Sequence, residues 1–370
     1  MDDAVMRERR SRSTEAEARE GARNLLVNAA AVKPGNRVLI VNALRGGVEP
    51  AASDLIAEEA ERLGAAVDVV WTPNARAVDE ISPVVRAAFD LAEVIILNHR
   101  IGAMVRFMDL KGGRYVFNYM ITREQLAAPS ARMPAGYWTT LLKLLQGRLN
   151  RATRFHVTCP NGTDYEGPVD TATYGAGEAT GQTFSTVSFP AGVYKPFMSL
   201  DASGTIAFRW FTVSGLRYFE PTSFSLPSYV VATVEKGAIC DLKGEPAAVA
   251  GLRAFLDETG RRFGKDPSIV NSWHGGMNAA MVPYGRLADD LDKWMRIGHN
   301  NPRVAHFHVE GHELPGEYSA LLLDPTVAID DEVVWDNGRL AFADQAEVRA
   351  ALAKFGDPRI AAGRAADIGV

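Results

Sequence analysis

Three apolar segments in the first hundred residues alternate with segments of helical periodicity. The apolar segments cover residues 37–42, 66–71 and 93–98, and helical patterns occupy residues 50–63 and 83–90 between them. This alternation is typical of β-α-β units, whose strands are parallel and whose helices cover the sheet. The sequence therefore predicts the α/β class, with an N-terminal α/β domain over residues 1–150 built on a small parallel sheet.

The composition changes after residue 151, where Gly, Pro, Thr and aromatic residues become frequent and helical patterns become rare. One further helix is predicted at residues 246–263. A hairpin is predicted at residues 326–340, because Asp336, Asn337 and Gly338 carry the turn chemistry that hairpins require. We expect residues 151–370 to form a second, mainly β domain of the α+β type that binds metal.

The charge balance excludes one class of partner. The chain has 40 Lys and Arg against 45 Asp and Glu, which gives a formal net charge of −5. Nucleic-acid binding requires a basic stripe or patch, and the sequence contains none. We therefore expect no nucleic acid as a partner.

The two cysteines and the apolar segments predict the compartment. Cys159 and Cys240 lie far apart and outside any paired motif, so neither a disulfide framework nor a cysteine metal site is indicated. The N-terminus is charged from its second residue, and no stretch of about 18 apolar residues occurs. These observations predict a cytoplasmic protein without a membrane partner.

Histidine is concentrated in one part of the chain. Five of the seven histidines fall between His274 and His312, and His306 and His308 flank Phe307 within the apolar run 304–309. Residues two apart on a strand point to the same face, so these two imidazoles would project into one space. Two imidazoles side by side repel each other when charged, whereas one shared cation satisfies both.

His274 is the expected third ligand. It lies in the glycine-rich segment 271–278, which we predict to be a loop that reaches the histidine strand. Three protein ligands are the usual set of an open metal site. The alternative is that each histidine is a buried core residue whose ring nitrogens have separate hydrogen-bond partners.

Several segments together resemble the aminopeptidase T-like superfamily, which includes thermophilic leucyl aminopeptidases and iron-dependent 2,5-dihydroxypyridine 5,6-dioxygenases. The resemblance is spread over most of the chain and follows the order of the family. It is carried by residues 24–40, 160–164, 189–192 and 276–278, by the His-x-His strand, and by residues 327–338.

The resemblance bears on the number of metals. Aminopeptidases of this superfamily hold two divalent metals with carboxylates and histidines, and one carboxylate follows the Pro-Ala-Gly segment. Here that position is Val193, and His308 takes the place of the acid in the family's His-x-Asp strand. Two adjacent metals need bridging carboxylates to offset their repulsion. A single metal is therefore expected.

The dioxygenases of the superfamily hold one iron(II) with two histidines and a carboxylate. By position, His274 and His306 match the histidines, and His308 stands in place of the carboxylate. The resemblance implies Fe(II) as cofactor, with a small aromatic or N-heteroaromatic substrate and O2 as partners. Three neutral imidazoles also suit zinc, which is the alternative cofactor. The superfamily further implies a homo-oligomer.

Three more residues are candidates for catalysis. His299 is a candidate acid/base; alternatively it caps a loop, or it replaces His274 as third ligand. Glu310 is in phase with His306 and His308 if the strand continues, which would let it bind the metal or a substrate N–H. A solvated turn is the alternative for Glu310. Tyr284 could hydrogen-bond the substrate or simply pack against its neighbours.

Three functions remain open from the sequence. The first is a mononuclear non-heme iron dioxygenase that cleaves a hydroxylated ring resembling 2,5-dihydroxypyridine. The second is a zinc-dependent, aminopeptidase-like hydrolase, in which the metal lowers the pKa of bound water. The third is a metal-stapled binding protein without turnover. His99 and His156 lie in other segments, and both are interpreted as structural.

Overall fold

The computed structural model describes residues 14–75, 80–105, 113–169, 186–213, 221–309 and 317–370. The chain divides into two compact units. Within the described ranges, unit 1 takes in residues up to 140 together with 186–192 and 352–356. Unit 2 takes in residues 141–169, 193–351 and 357–370.

The sheet of unit 1 has five strands, all parallel, in the order β2-β1-β3-β4-β7. Its strands are β1 (Arg37–Ala43), β2 (Ala66–Thr72), β3 (Val94–Asn98), β4 (Arg114–Asn118) and β7 (Thr186–Phe189). All of β3 is buried, and so is β1 beyond its first residue. Parallel strands covered on both faces read as continuous apolar runs, which explains why β1 and β3 are visible in the sequence. The predicted small parallel sheet is confirmed.

The helices begin and end at recognisable residues. Thr14 caps the first described helix in a reciprocal pair of hydrogen bonds with Glu17. Proline is the first residue of the helices that begin at Pro50, Pro83 and Pro246. Gly64 follows the helix that begins at Pro50 and has a φ of 83°. The described helices are α1 (Glu15–Asn24), α2 (Pro50–Arg62), α3 (Pro83–Leu91), α4 (Ile101–Val105), α5 (Arg123–Leu126), α6 (Pro129–Arg132), α7 (Ala135–Leu149), α8 (Pro246–Phe263), α9 (Leu291–Gly298) and α10 (Ala346–Leu352). None of the described helices has both the length and the apolar character needed to cross a membrane.

Buried asparagines link the central strands of unit 1. Asn118 donates to Asn98 at 2.8 Å, and Asn98 donates to Asn42 at 2.8 Å. Asn42 in turn donates to Ser53 on α2 at 2.7 Å. All four side chains are buried, and each amide accepts as well as donates. The chain of hydrogen bonds therefore satisfies the amides without water.

Unit 2 contains a sheet of twelve strands, all paired antiparallel. Its main order is β17-β16-β15-β5-β6-β9-β14-β13-β12-β8, and β10 pairs with both β9 and β11. The strands are β5 (Arg154–Thr158), β6 (Asp164–Pro168), β8 (Phe197–Met198), β9 (Ser203–Val213), β10 (Ser223–Glu235), β11 (Ala238–Gly244), β12 (Val270–Gly275), β13 (Val304–Val309), β14 (Tyr318–Leu323), β15 (Thr326–Ile329), β16 (Glu332–Asp336) and β17 (Arg339–Leu340). This mainly β architecture agrees with the predicted class of the second part of the chain.

One face of this sheet carries an aromatic core. Trp273 on β12 lies opposite Phe307 on β13, and its ring packs on Phe155 at 5.2 Å and on Phe197 at 5.3 Å between centroids. Tyr165 meets Phe307 edge to face at 5.5 Å. Such aromatic pairs add about 0.5–1.5 kcal/mol each beyond the area they bury. These aromatic contacts hold β12 against β13. The residues that alternate with the aromatics along the two strands face the other side of the sheet.

Helix α9 packs on that other side. Val304 of β13 and Leu321 of β14 are buried in one cluster with Leu291, Trp294 and Met295 of α9. Val304, His306 and His308 share a face because they are two residues apart. The apolar end of β13 is therefore covered by α9, and the two histidines follow it along the same face.

The hairpin of β15 and β16 turns at Asp330, whose φ is 55°. Its carboxylate accepts hydrogen bonds from the Thr153 backbone at 2.8 Å, the Thr153 hydroxyl at 2.7 Å and the Arg154 backbone at 3.1 Å. Arg148 lies 3.3 Å away. Burial alone would raise the pKa of Asp330, but these hydrogen bonds outweigh it and lower the pKa below its usual value. The predicted turn at Asn337 and Gly338 is also present, with φ of 45° and 75°.

Candidate metal centre

The pairing of β12 with β13 brings three histidines together. In the antiparallel register His274 lies opposite His306, and Ser272 lies opposite His308. Residues opposite each other on neighbouring strands share a face of the sheet, as do residues two apart on one strand. His274, His306 and His308 therefore project into one space.

The predicted loop around His274 is wrong for the part that carries the histidine. Val270–Gly275 is a fully buried strand, and only the glycines at its end begin the connection. The glycine-rich composition concealed a strand, because Ser272, Trp273 and His274 form cross-strand pairs with β13 that the sequence does not reveal. His274, the candidate third ligand, therefore lies on a strand rather than in a loop.

The three imidazoles are close enough to hold one ion. The ring centroids of His274 and His306 are 4.2 Å apart, those of His306 and His308 are 5.1 Å apart, and those of His274 and His308 are 5.3 Å apart. One nitrogen of each ring lies within 4.8 Å of the corresponding nitrogens of the other two. Imidazole nitrogens bind zinc at about 2.0–2.1 Å, so the three rings would move closer together around a bound ion.

Tyr194 sets the orientation of His274. The backbone carbonyl of Tyr194 lies 3.0 Å from Nδ1 of His274, and its hydroxyl accepts a hydrogen bond from the Gly275 backbone at 3.0 Å. A carbonyl oxygen only accepts, so Nδ1 of His274 carries the proton and Nε2 keeps the lone pair that binds metal. Tyr194 is buried, which holds this arrangement away from water.

Gly276 lets the backbone pass close to neighbouring residues just after the end of β12. A Cβ atom at this position would lie 2.3 Å from the carbonyl carbon of Asn300. The Gly276 backbone donates to Val304 at 2.9 Å and accepts from the indole of Trp335 at 2.9 Å. A residue larger than glycine would force the end of β12 away from β13 and disturb His274.

A chain of side chains continues outward from His308. Nδ1 of His308 lies 2.7 Å from the hydroxyl of Ser272, and this hydroxyl donates to Oδ1 of Asn271 at 3.1 Å. Nδ2 of Asn271 donates to the carboxylate of Glu317 at 2.8 Å. None of these three residues was predicted from the sequence. Only Ser272 could have been suspected from the sequence, because it lies two residues before His274 on the same strand.

His299 lies beside the three-histidine group and outside it. It follows the last residue of α9, and its ring centroid is 6.3 Å from that of His306. Its Nδ1 faces the carbonyl of Met295 at 2.5 Å, so Nδ1 carries the proton and Nε2 is the nitrogen with a lone pair. The ligand group described above contains His274 and not His299.

The other predicted site residues are placed as follows. Tyr284 lies half-buried in the connection between β12 and α9. Glu310 and His312 lie outside the described residues. His156 binds Asp164 at 2.7 Å on the exposed side of β5, and His99 is buried with its ring nitrogens directed at the backbone of Pro73 and Ile101.

Val193 lies next to the site in an antiparallel bridge with Gly276. Its side chain is apolar and therefore offers no ligand to a metal. Among the described residues, the group that could hold a metal consists of three histidines and no carboxylate. A divalent ion held in this way keeps its full charge, which favours an anionic substrate or a hydroxide as an additional ligand.

The chain has the fold of a known dioxygenase. No family model matches the sequence, and no curated protein sequence matches it. The structure is similar to that of 2,5-dihydroxypyridine dioxygenase from Pseudomonas putida, with a TM-score of 0.59 and 14% identity over 91% of this chain and 99% of that chain. It also matches wild-type AmpT from Thermus thermophilus, with a TM-score of 0.47 and 11% identity over 88% of this chain and 99% of that chain.

The similarity to the dioxygenase structure agrees with the α/β class predicted from the sequence. A parallel sheet in unit 1 and a large antiparallel sheet in unit 2 are both present. At this level of identity the similarity concerns the fold, and chemistry has to be argued from the site. The site contributes three imidazoles that could hold a metal ion.

Proposed function

We propose that this chain is a mononuclear non-heme iron(II) dioxygenase that cleaves a hydroxylated aromatic or N-heteroaromatic ring resembling 2,5-dihydroxypyridine. One observation carries the proposal: three clustered imidazoles lie within a fold shared with a 2,5-dihydroxypyridine dioxygenase. Iron(II) held by three side chains would supply the redox chemistry that couples O2 to an electron-rich ring. The metal ligands in this proposal are His274, His306 and His308.

The protein residues supply proton transfer and orientation. We propose that Nε2 of His299 accepts the proton of a substrate hydroxyl, because its Nδ1 proton is already donated to Met295. Tyr284 is proposed to donate a hydrogen bond to the substrate. Glu310, the residue that follows Val309 in the sequence, is proposed to accept the N–H of a heteroaromatic ring.

Oxygen uptake tests this function. The protein is purified without oxygen, loaded with Fe(II), and mixed with 2,5-dihydroxypyridine under isotopically labelled O2. A dioxygenase consumes one O2 per ring and places both of its oxygen atoms in the product, which mass spectrometry detects. His306→Ala should abolish the reaction, whereas His156→Ala changes a histidine outside the site and should leave it intact. No uptake by the iron-loaded wild type would reject the proposal for this substrate.

A zinc-dependent hydrolase is the second candidate function. The observation that favours it is the all-imidazole ligand group, since three neutral histidines and a bound water form a familiar zinc site. Zinc in such a site lowers the pKa of its water to about 7 and so provides hydroxide near neutral pH. Stoichiometric zinc in a protein that cannot be loaded with iron, together with hydrolysis of amino-acid amides, would support this candidate. Metal binding without either activity would instead support a binding protein.

We also propose which part of the chain carries catalysis, in which compartment the protein works, and that it is a homo-oligomer. Residues 151–370 are proposed to bind metal and carry catalysis, and residues 1–150 to form the accompanying α/β domain. The protein is proposed to work in the cytoplasm as a homo-oligomer, without nucleic acid or membrane as partner. Its two cysteines, Cys159 and Cys240, are free thiols, as a reducing compartment requires. Light scattering during gel filtration tests the oligomer.

A further inference from the structure

We propose that Ser272, Asn271 and Glu317 are positioning residues that fix the proton of His308 on Nδ1 and so keep Nε2 ready to bind metal. This inference rests on the proposed metal site and adds the means by which one of its ligands, His308, is prepared. The three residues form an unbroken line of hydrogen bonds from a buried carboxylate to the imidazole.

The carboxylate sets the direction of the whole line. A carboxylate oxygen accepts hydrogen bonds, so the atom of Asn271 that faces Glu317 at 2.8 Å is the amide nitrogen. The amide oxygen then faces Ser272 and takes the single hydroxyl proton at 3.1 Å. Ser272 Oγ has only its acceptor capacity left for His308, and the proton between them at 2.7 Å belongs to Nδ1 of His308.

The three residues of this hydrogen-bonded line are buried, which strengthens their hydrogen bonds. Ser272 is 5% exposed, Asn271 is 3% exposed and Glu317 is 1% exposed. Bulk water therefore competes little for these groups, and hydrogen bonds in a low-dielectric environment polarise one another. A histidine ligand that donates its second ring N–H to such a partner is better oriented and more basic at the metal-binding nitrogen.

A β-bulge places Asn271 in the line. Val270 pairs with Val309 and Ser272 pairs with His308, so Asn271 is an extra residue between two registers of β13. In a regular strand the side chains of Asn271 and Ser272 would point to opposite faces. Bulges re-aim a side chain in this way, and here the bulge brings Oδ1 of Asn271 within reach of its neighbour's hydroxyl.

The other strand beside His308 offers a matched control. Ser319 on β14 lies opposite His308, as Ser272 does on β12, and it is equally buried at 5% exposure. In the part of the chain that the structure describes, no hydrogen bond joins Ser319 to His308. Ser319→Ala and Ser272→Ala thus remove the same atom at the same depth on either side of one imidazole.

Nitrogen NMR of metal-free protein with labelled histidine reads the tautomer directly. The experiment is done at about pH 8.5, above the usual imidazole pKa, and the His308 signals are assigned by their loss in His308→Asn. We expect the Nδ1–H form in wild type, in Ser319→Ala and in Ser272→Thr. Ser272→Ala should give a tautomer mixture. Glu317→Gln should do so too, because a glutamine can donate as well as accept.

Zinc affinity, measured by competition with a chelator, provides the second measurement. Loss of a residue that orients a ligand costs about 10–100-fold in metal affinity, so we expect this loss for Ser272→Ala and near wild-type affinity for Ser319→Ala. A pure Nδ1–H form of His308 in both Ser272→Ala and Glu317→Gln would overturn the inference, and so would equal zinc affinities of the two serine variants. A wild type that binds no metal would reject the proposed function, while the metal-free tautomers would still test the hydrogen-bond line.

Discussion

Removing His306 should abolish the stabilisation of unit 2 by metal. His306 is 5% exposed, and its ring is 4.2 Å from His274 and 5.1 Å from His308. Its removal leaves two imidazoles whose rings are 5.3 Å apart, which is an incomplete site. His306→Ala should therefore lose the metal response while keeping the paired strands β12 and β13.

The size of the response follows from binding linkage. A ligand at 100 times its Kd stabilises the folded state by about 2.7 kcal/mol. For a unit of roughly 200 residues, each kcal/mol shifts the unfolding temperature by about 2–4 °C, so the wild type should gain about 5–11 °C. His306→Ala should gain about 1 °C or less under the same conditions.

Scanning calorimetry with increasing zinc, and with Fe(II) under anaerobic conditions, measures this difference. The control is His156→Ala, which removes an exposed imidazole that binds Asp164 and should leave the metal response at the wild-type value. An equal rise in His306→Ala and wild type would mean that the metal binds elsewhere. A rise that is also lost in His156→Ala would contradict the assignment of the metal site to the three clustered histidines.

Three other substitutions have defined outcomes. Asp330→Ala removes the acceptor of three hydrogen bonds around Thr153 and should lower the free energy of unfolding by about 1–3 kcal/mol in a urea titration. Gly276→Ala places a Cβ atom 2.3 Å from the Asn300 carbonyl carbon, so it should cost about 1–3 kcal/mol and weaken zinc binding, as calorimetry would detect. His299→Gln should lower kcat by about 10²–10⁴-fold, since glutamine cannot take up the proton, while metal affinity stays near wild type.

The contribution of Asp330 should depend on pH. Its pKa in the folded protein is lowered, so its stabilisation is fully present above the unfolded value of about 3.9 and is lost as the pH falls through the folded pKa. The difference between wild type and Asp330→Ala should therefore be constant near neutral pH and shrink below about pH 4. A difference that stays constant down to strongly acidic pH would contradict this role of the carboxylate.

The sequence predicted those features that depend on local periodicity. The runs that became β1 and β3 are apolar apart from Arg37, Asn42 and Asn98, because these strands are buried. The shared face of His306 and His308 was predicted from the two-residue repeat of a strand. The strand β7 was missed because it is only four residues long and pairs with β4, which lies about 70 residues earlier in the sequence.

The site was predictable only up to its imidazoles. The glycines beside His274 indicated a loop, and pairing with β13 overrode this local preference. The link from Asn271 to Glu317 joins residues 46 positions apart. Such a hydrogen bond depends on a bulge and on strand order, neither of which leaves a periodic signature in the sequence.

The asparagines of unit 1 also restrict how its sheet can assemble. Asn42 and Asn98 occupy one register position on adjacent parallel strands. A slip of one residue would turn one amide to the opposite face and leave buried donors and acceptors unsatisfied, at about 1–3 kcal/mol for each group. Apolar neighbours such as Ile40 and Ile96 would tolerate a slipped strand far better than these amides do. The paired amides therefore favour the native alignment of β1 with β3 over a slipped one.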